Sequence, residues 1–268
     1  MTRNDIKELS IQFNLNGLSF CILNRSLNTI EFLKSIDFEQ KLTPNDALNR
    51  LKSELSANTV FSDTFDAVTV IHQNELASLV PKDLYDENHK ADYLKFNSKI
   101  LRTDLISTDD VSINNSVNVF VPYVNVNNYI LDIFGEFVYK HSSTLLIDAS
   151  LQTKNSSDKP EVYLNVNSAS LELLVVERGE LLLFNVFQYS TKEDLIYYVL
   201  FVFEQLKLDA ETTQLNLTGT VNKEDEIFNI LFTYIRHVKM LKNNYTFNFS
   251  KALDIESLHH HYLILNSF

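Results

Sequence analysis

The chain has 268 residues, of which 45% are hydrophobic and 12% aromatic, so it can build a sizeable core and is not a disordered polymer. Asp and Glu outnumber Lys and Arg 35 to 23, a net charge of -12, which makes the average surface repel phosphate backbones and excludes nucleic acid as the expected partner. The length suits one large domain or two small ones.

In chain order, MTRNDIKELSIQF carries charges throughout and lacks the apolar stretch of a secretion signal. Alternating runs predict strands near 8–14, 17–24 and 28–37. Cys21, the single cysteine, lies in the apolar run SFCIL, so no internal disulfide can form, as suits a reducing compartment. TPNDALNRLKSEL then reads as a helix and DAVTVIHQ as a strand. Asp148 closes the apolar run TLLID, where a cap or turn role is favoured over a general base at a strand end. The polar stretch KNSSDKP, 154–160, is the best candidate boundary and divides the chain into 1–153 and 154–268.

Beyond it the same order returns: EVYLNVN, ASLELLVVE and ELLLFNVFQ as strands, TKEDLIYYVLFVFEQL as a helix, TTQLNLTG as a strand. Both halves therefore read β-β-β-α-β. The helix entries agree too, with Thr43 three residues before Asp46, Thr191 three before Asp194, and Pro44 at a first helical position. Leu195–Phe203, the most apolar run, is far short of the roughly 20 residues a membrane helix needs and reads as a buried helix, as does IFNILFTYI. No direct membrane insertion is expected. The basic cluster from Arg236 to Lys242 is expected at a helix C-terminus, where cations oppose the helix dipole.

FNLNGLSFCIL, YLNVNSASLELLVVERGELLLF, ASLVPKDLY and NLTGTV, within this duplicated pattern, give the chain a resemblance over most of its length to the actin-like ATPase superfamily of actin, Hsp70 chaperones and sugar kinases. In particular it resembles a bacterial domain-of-unknown-function family with that fold. The resemblance implies an α/β protein with a duplicated actin-like ATPase (ribonuclease H-like) fold, two lobes each with a β-β-β-α-β core. In active members the turn after the first strand of each half carries Asp-x-Gly: the Asp holds the metal and its water, and the Gly lets the backbone turn around the phosphates.

Both places read Asn-x-Asn here, so Asn14 and Asn165 are expected where the carboxylates would be, and Asn16 and Asn167 where the glycines would be. Asn enters the left-handed region readily, which would preserve the turns. An amide oxygen is a weaker ligand for a hard cation than a carboxylate, and a Cβ at the Gly position crowds a phosphate. Gly17 beside the first turn leaves room for backbone contact with phosphate. Gly219 stands where a glycine pair would face adenosine, and a structural role is preferred for it; Asn222 is expected to cap the following helix.

With four glycines in all, neither G-x-G-x-x-G nor G-x-x-x-x-G-K-[ST] occurs, and no G-x-S-x-G elbow is present. His259, His260 and His261 are adjacent, a spacing that does not build a metal site. The expected function is a non-catalytic, cytoplasmic adaptor or scaffold that meets an unidentified protein partner, with self-association possible. No cofactor is expected. The alternative is an ATP-binding or kinase-like enzyme that uses ATP and magnesium through atypical phosphate turns.

Overall fold

The computed structural model describes residues 5–96, 98–152, 159–242, 245–253 and 257–268. The chain forms two compact units, one of Met1–Leu145, Tyr245–Ile255 and Leu263–Phe268, the other of Leu146–Asn244 and Glu256–Tyr262.

The first unit begins with β1 (Lys7–Phe13), β2 (Gly17–Asn24), β3 (Thr29–Asp37), α1 (Pro44–Ala57) and β4 (Ala67–His72). Alternate residues of these strands, among them Leu9, Ile11, Phe13, Leu18, Phe20, Val68 and Val70, form a buried face against Ala47, Leu51 and Leu55 of α1. Three further strands, β5 (Ala77–Pro81), β6 (Ser107–Val111) and β7 (Ser116–Phe120), form a separate antiparallel sheet in the order β5-β7-β6, with the short helix α2 (Lys90–Lys95) between β5 and β6 in sequence. Then α3 (Val124–Phe134) and β8 (Val138–His141) follow, β8 pairs with β4 in parallel, and α4 (Ser142–Gln152) crosses from the first unit into the second.

The second unit repeats the plan. β9 (Glu161–Val166), β10 (Ser170–Glu177), β11 (Glu180–Gln188), α5 (Lys192–Gln205), β12 (Gln214–Gly219), α6 (Glu226–Tyr234) and β13 (His237–Met240) make one sheet in the order β11-β10-β9-β12-β13. Within the first unit's larger sheet the corresponding run is β3-β2-β1-β4-β8. Both have two antiparallel pairs followed by two parallel ones, and both second hairpins carry a bulge, at Ile22/Leu23 and at Val175/Val176. The repeat is thus one helix and one strand longer than the expected β-β-β-α-β core.

The C-terminal part is shared between the units, where the sequence suggested a single division after 153. β14 (Asn248–Phe249) pairs with β3 at the edge of the first sheet, Asn28 donates from Nδ2 to the Thr246 carbonyl at 2.7 Å, and Ser267 Oγ donates to Ser10 Oγ at 2.7 Å. The boundary segment Lys154 to Pro160 lies mostly outside the described residues.

Three expectations about local structure change. Arg236–Lys242 does not end a helix: α6 stops at Tyr234, and the basic segment is the edge strand β13 and its exit. The cap of α6 is Asp225, not Asn222; the Asp225 carboxylate accepts the Asn222 N–H at 2.7 Å. Asp148 lies inside α4, where it is neither a strand end nor a cap. α5 is buried on one side only, through Leu195, Ile196, Val199, Val202 and Phe203, and leaves Tyr197 and Phe201 62% and 42% exposed. Each fully buried Leu or Val contributes about 1.5–3 kcal/mol, so packing rather than propensity fixes this β-branched, aromatic helix. Among the described residues no helix is long and apolar enough to cross a membrane.

Candidate functional site

The turn after β1 is tied into the fold by its own polar atoms. Asn14 Oδ1 accepts the Asn16 N–H at 2.7 Å, which closes an Asx-turn, and Asn14 Nδ2 donates to Gln73 Oε1 at 2.9 Å. Gln12 Nε2 donates to the same oxygen at 2.8 Å. The Asn14 N–H meets the Gly17 carbonyl at 3.2 Å, and the Asn16 carbonyl accepts the Phe38 N–H at 2.7 Å. Gly17 has a packing reason: a Cβ there would stand 2.6 Å from the Ile36 carbonyl of β3.

The turn after β9 is built alike, and its hydrogen bonds fix which residues correspond. Asn167 N–H donates to the Ser170 carbonyl at 2.8 Å as Asn14 does to Gly17, and Thr220 N–H donates to the Val166 carbonyl as Gln73 does to Phe13. In the sheets Phe13 pairs with Leu18 and His72, and Val166 with Leu171 and Gly219. Asn14 therefore corresponds to Asn167, and Asn16 to Ala169. Asn165, matched with Asn14 on sequence, corresponds instead to Gln12, inside the strand. The Asn-x-Asn letters mislead by two residues because the hydrogen-bonded register, not the repeated amide, defines the turn.

None of Asn14, Asn16, Asn165 and Asn167 has a positive φ, so the turns hold without the left-handed residue expected of them. Asn165 has a structural task. It is buried, its Nδ2 donates to Glu172 Oε2 on β10 at 2.5 Å, and its Oδ1 faces Gly219. Gly219 has φ +82°, and a Cβ on it would lie 2.1 Å from the Val166 carbonyl and 2.7 Å from Asn165 Oδ1. Glycine is demanded here by backbone contact within the sheet.

The groups at these turns do not fit a magnesium nucleotide. At the equivalent positions Asn14 and Asn167 the side chains are amides, the Asn14 oxygen is engaged by its own turn, and neither offers the carboxylate that best holds a hard cation. The histidine run lies in a short helical turn, where His259 Nε2 bonds the Val221 carbonyl at 2.7 Å and burial, with the neighbouring His260 and His259, lowers His261 to about 4. Burial also pushes the Cys21 thiol above its usual range, which makes it inert as a nucleophile. Among the described residues no three His, Cys, Asp or Glu gather as metal ligands.

Two buried features gave no sequence signal. Glu172 is a carboxylate 2% exposed in a strand position that alternation alone assigns to either face. His72 and His141, paired across β4 and β8, are fully buried. His72 Nδ1 accepts the Tyr123 N–H at 3.3 Å, so its Nε2–H donates to Asn127 Oδ1 at 2.8 Å. His141 accepts at Nδ1 from the Ser143 N–H and donates from Nε2 to the Asn74 carbonyl. Burial holds both neutral, His72 lowered to about 4 and His141 to about 3.

Two sheets of one strand order, each with a tight turn after its first strand and a helix before its fourth, define the actin-like ATPase fold. The chain is similar, at 24% identity and a TM-score of 0.80 over 90% of this chain and 92% of the other, to a Bacteroides thetaiotaomicron VPI-5482 protein with actin-like ATPase fold and unknown function. It is similar to a chain of the PilM–PilN type IV pilus biogenesis complex (12% identity, TM-score 0.63, 97% and 96% covered) and to the ethanolamine utilization protein EutJ from Carboxydothermus hydrogenoformans (6%, 0.54, 99% and 90%). The chain belongs to the family described as Protein of unknown function (DUF3822), whose profile matches residues 2–238. No curated protein matches it.

Proposed function

We propose that this protein is a non-catalytic adaptor or scaffold that acts through contacts with another protein in the cytoplasm. The observation that carries the reading is the state of both turns: Asn14 and Asn167, equivalent by register, are amides, and the Asn14 side chain is spent on the turn itself. A fold that keeps its architecture without its metal-positioning groups retains some other use for it, and a binding face is the common one. One similar solved chain is itself part of a complex, PilM–PilN, which supports a partnered role. The test pairs calorimetry with affinity capture from the native host. The expected result is no heat of binding with ATP and magnesium, and capture of one reproducible protein whose association weakens as salt rises. Micromolar ATP affinity abolished by Asn14→Ala would favour an ATP-binding protein instead.

A further inference from the structure

The second unit contains a cavity of about 550 Å³ whose wall includes five consecutive residues, Val238 to Lys242, of β13 and its exit. Glu161 and Tyr163 of β9 and Asn216 of β12 line it too, and Tyr163, Asn216 and Lys239 stand side by side in register, so this groove lies across one face of the sheet and ends at the edge strand β13. β13 pairs with β12 on one side, and among the described residues no strand pairs with its other side. The Leu241 N–H donates inward to the Leu217 carbonyl, so by the two-residue period Val238 and Met240 turn their backbone N–H and C=O to the open edge.

The groove's charge is opposite to that of the molecule. Lys223, Lys239 and Lys242 line it, and among the described residues none of the three forms an ion pair, whereas lysines elsewhere, such as Lys7, Lys34 and Lys192, do. Its carboxylate, Glu161, accepts from Tyr163 Oη at 3.3 Å and Asn216 Nδ2 at 3.2 Å. Tyr163 and Asn216 are themselves buried, so the floor is polar.

We propose that the open edge where this groove ends binds an extended acidic segment of a partner protein, added to the sheet as a strand beside β13 with its acidic side chains turned over the groove. Backbone pairing at the edge supplies affinity, and carboxylates meeting the three lysines supply direction. A second copy of β13 is the wrong occupant, because it would set Lys239 and Lys242 against their own kind. The inference rests on the adaptor reading and names the partner chemistry at one face.

The test uses the full chain and a fluorescent octapeptide of alternating Glu and Thr, followed by polarisation at low salt. Binding is expected, with affinity lowered about tenfold or more by Lys239→Glu with Lys242→Glu, and lost when alternate peptide nitrogens are methylated. Hydrogen exchange should slow at Val238 and Met240 with the peptide present. If the charge reversal impairs folding, Lys239→Gln with Lys242→Gln reads the same loss. Equal binding of the methylated peptide, of a Lys-Thr octapeptide, or full displacement by inorganic phosphate overturns the strand-addition proposal. Host capture separates the two ideas: a partner retained equally by the Lys239/Lys242 variants sinks this groove and leaves the adaptor reading, whereas specific peptide binding without any captured protein leaves the groove and sinks the adaptor.

Discussion

At the scale of single residues, Asn165 shows how thoroughly an expected ligand position can be built into the core. Its amide is the hydrogen-bond donor for Glu172, and both are 2% exposed. Asn165→Asp would face one buried carboxylate with another, and two carboxylates at that distance cannot both ionise. The pair must then hold a proton well above the ordinary carboxylate range, so the variant's stability is present at low pH and lost as pH rises through the raised value. A loss of about 3–5 kcal/mol is expected near neutral pH, as for a buried pair that loses its complement. Urea unfolding at several pH values checks this, and Glu172→Gln added to Asn165→Asp should restore most of the loss by returning a donor. His72 and His141 work in the other direction. Unfolded, they titrate near 6.5, against about 4 and about 3 folded. Between those values the unfolded chain binds protons that the folded chain refuses, so their stability is present above 6.5 and lost as pH falls toward 4. The midpoint temperature of the native protein should drop steeply over that window, and His72→Gln should flatten the drop.

At the scale of elements, the two helix entries look equal in sequence and differ in structure. Thr191 Oγ1 accepts the Asp194 N–H at 3.1 Å, and Asp194 Oδ2 accepts the Thr191 and Ser190 N–H groups at 3.0 Å, a reciprocal box. At α1 the Asp46 carboxylate turns instead to the Thr43 hydroxyl at 2.7 Å, so only one backbone donor is satisfied by the pair, through Thr43 Oγ1 at 3.2 Å. Asp194→Ala should therefore cost more than Asp46→Ala, because only Asp194 satisfies backbone donors, with about 1 kcal/mol expected for a typical capping contact. Parallel denaturant melts would rank them. The duplicated strands and the helix that follows them were legible because alternation, capping and Pro44 all pointed the same way. The sheet of β5, β7 and β6 was not, since its short strands carry exposed acids such as Asp110 and give no clear period. β13 read as helix end because four residues, with lysine and histidine outermost, carry too little apolar pattern to mark a strand. At the candidate site the amides of both turns were legible, and their register was not: Asn-rich sequence repeats Asn-x-Asn by composition, and only the backbone bonds of Phe13 and Val166 show which amide lies past the strand.

At the scale of the whole molecule, the net charge of -12 says what long-range fields favour, while the groove at β13 shows that a local face can have the opposite sign. Nucleotide binding is likewise a whole-molecule property, because any ligand that binds the folded state alone raises the unfolding temperature in proportion to the logarithm of its concentration over its dissociation constant. At about 1 mM ATP with magnesium, a ligand of micromolar affinity would add about 4 kcal/mol and shift the midpoint by several degrees. The native chain should show no shift, since Asn14 and Asn167 offer amides rather than carboxylates. The register then pairs the changes of a rebuild: Asn14→Asp with Asn16→Gly goes with Asn167→Asp and Ala169→Gly. That fourfold variant should fold, because each glycine costs only about 0.5–1 kcal/mol of backbone entropy and none of the four changes touches the Asn165–Glu172 pair. The alternative rebuild at Asn165 and Asn167 should unfold at lower temperature than the native chain in the absence of any nucleotide. Thermal melts of the three proteins with and without ATP decide it: a shift in the native chain overturns the degenerate-turn reading, and a rebuild at Asn165 that proves as stable as the native chain overturns the register.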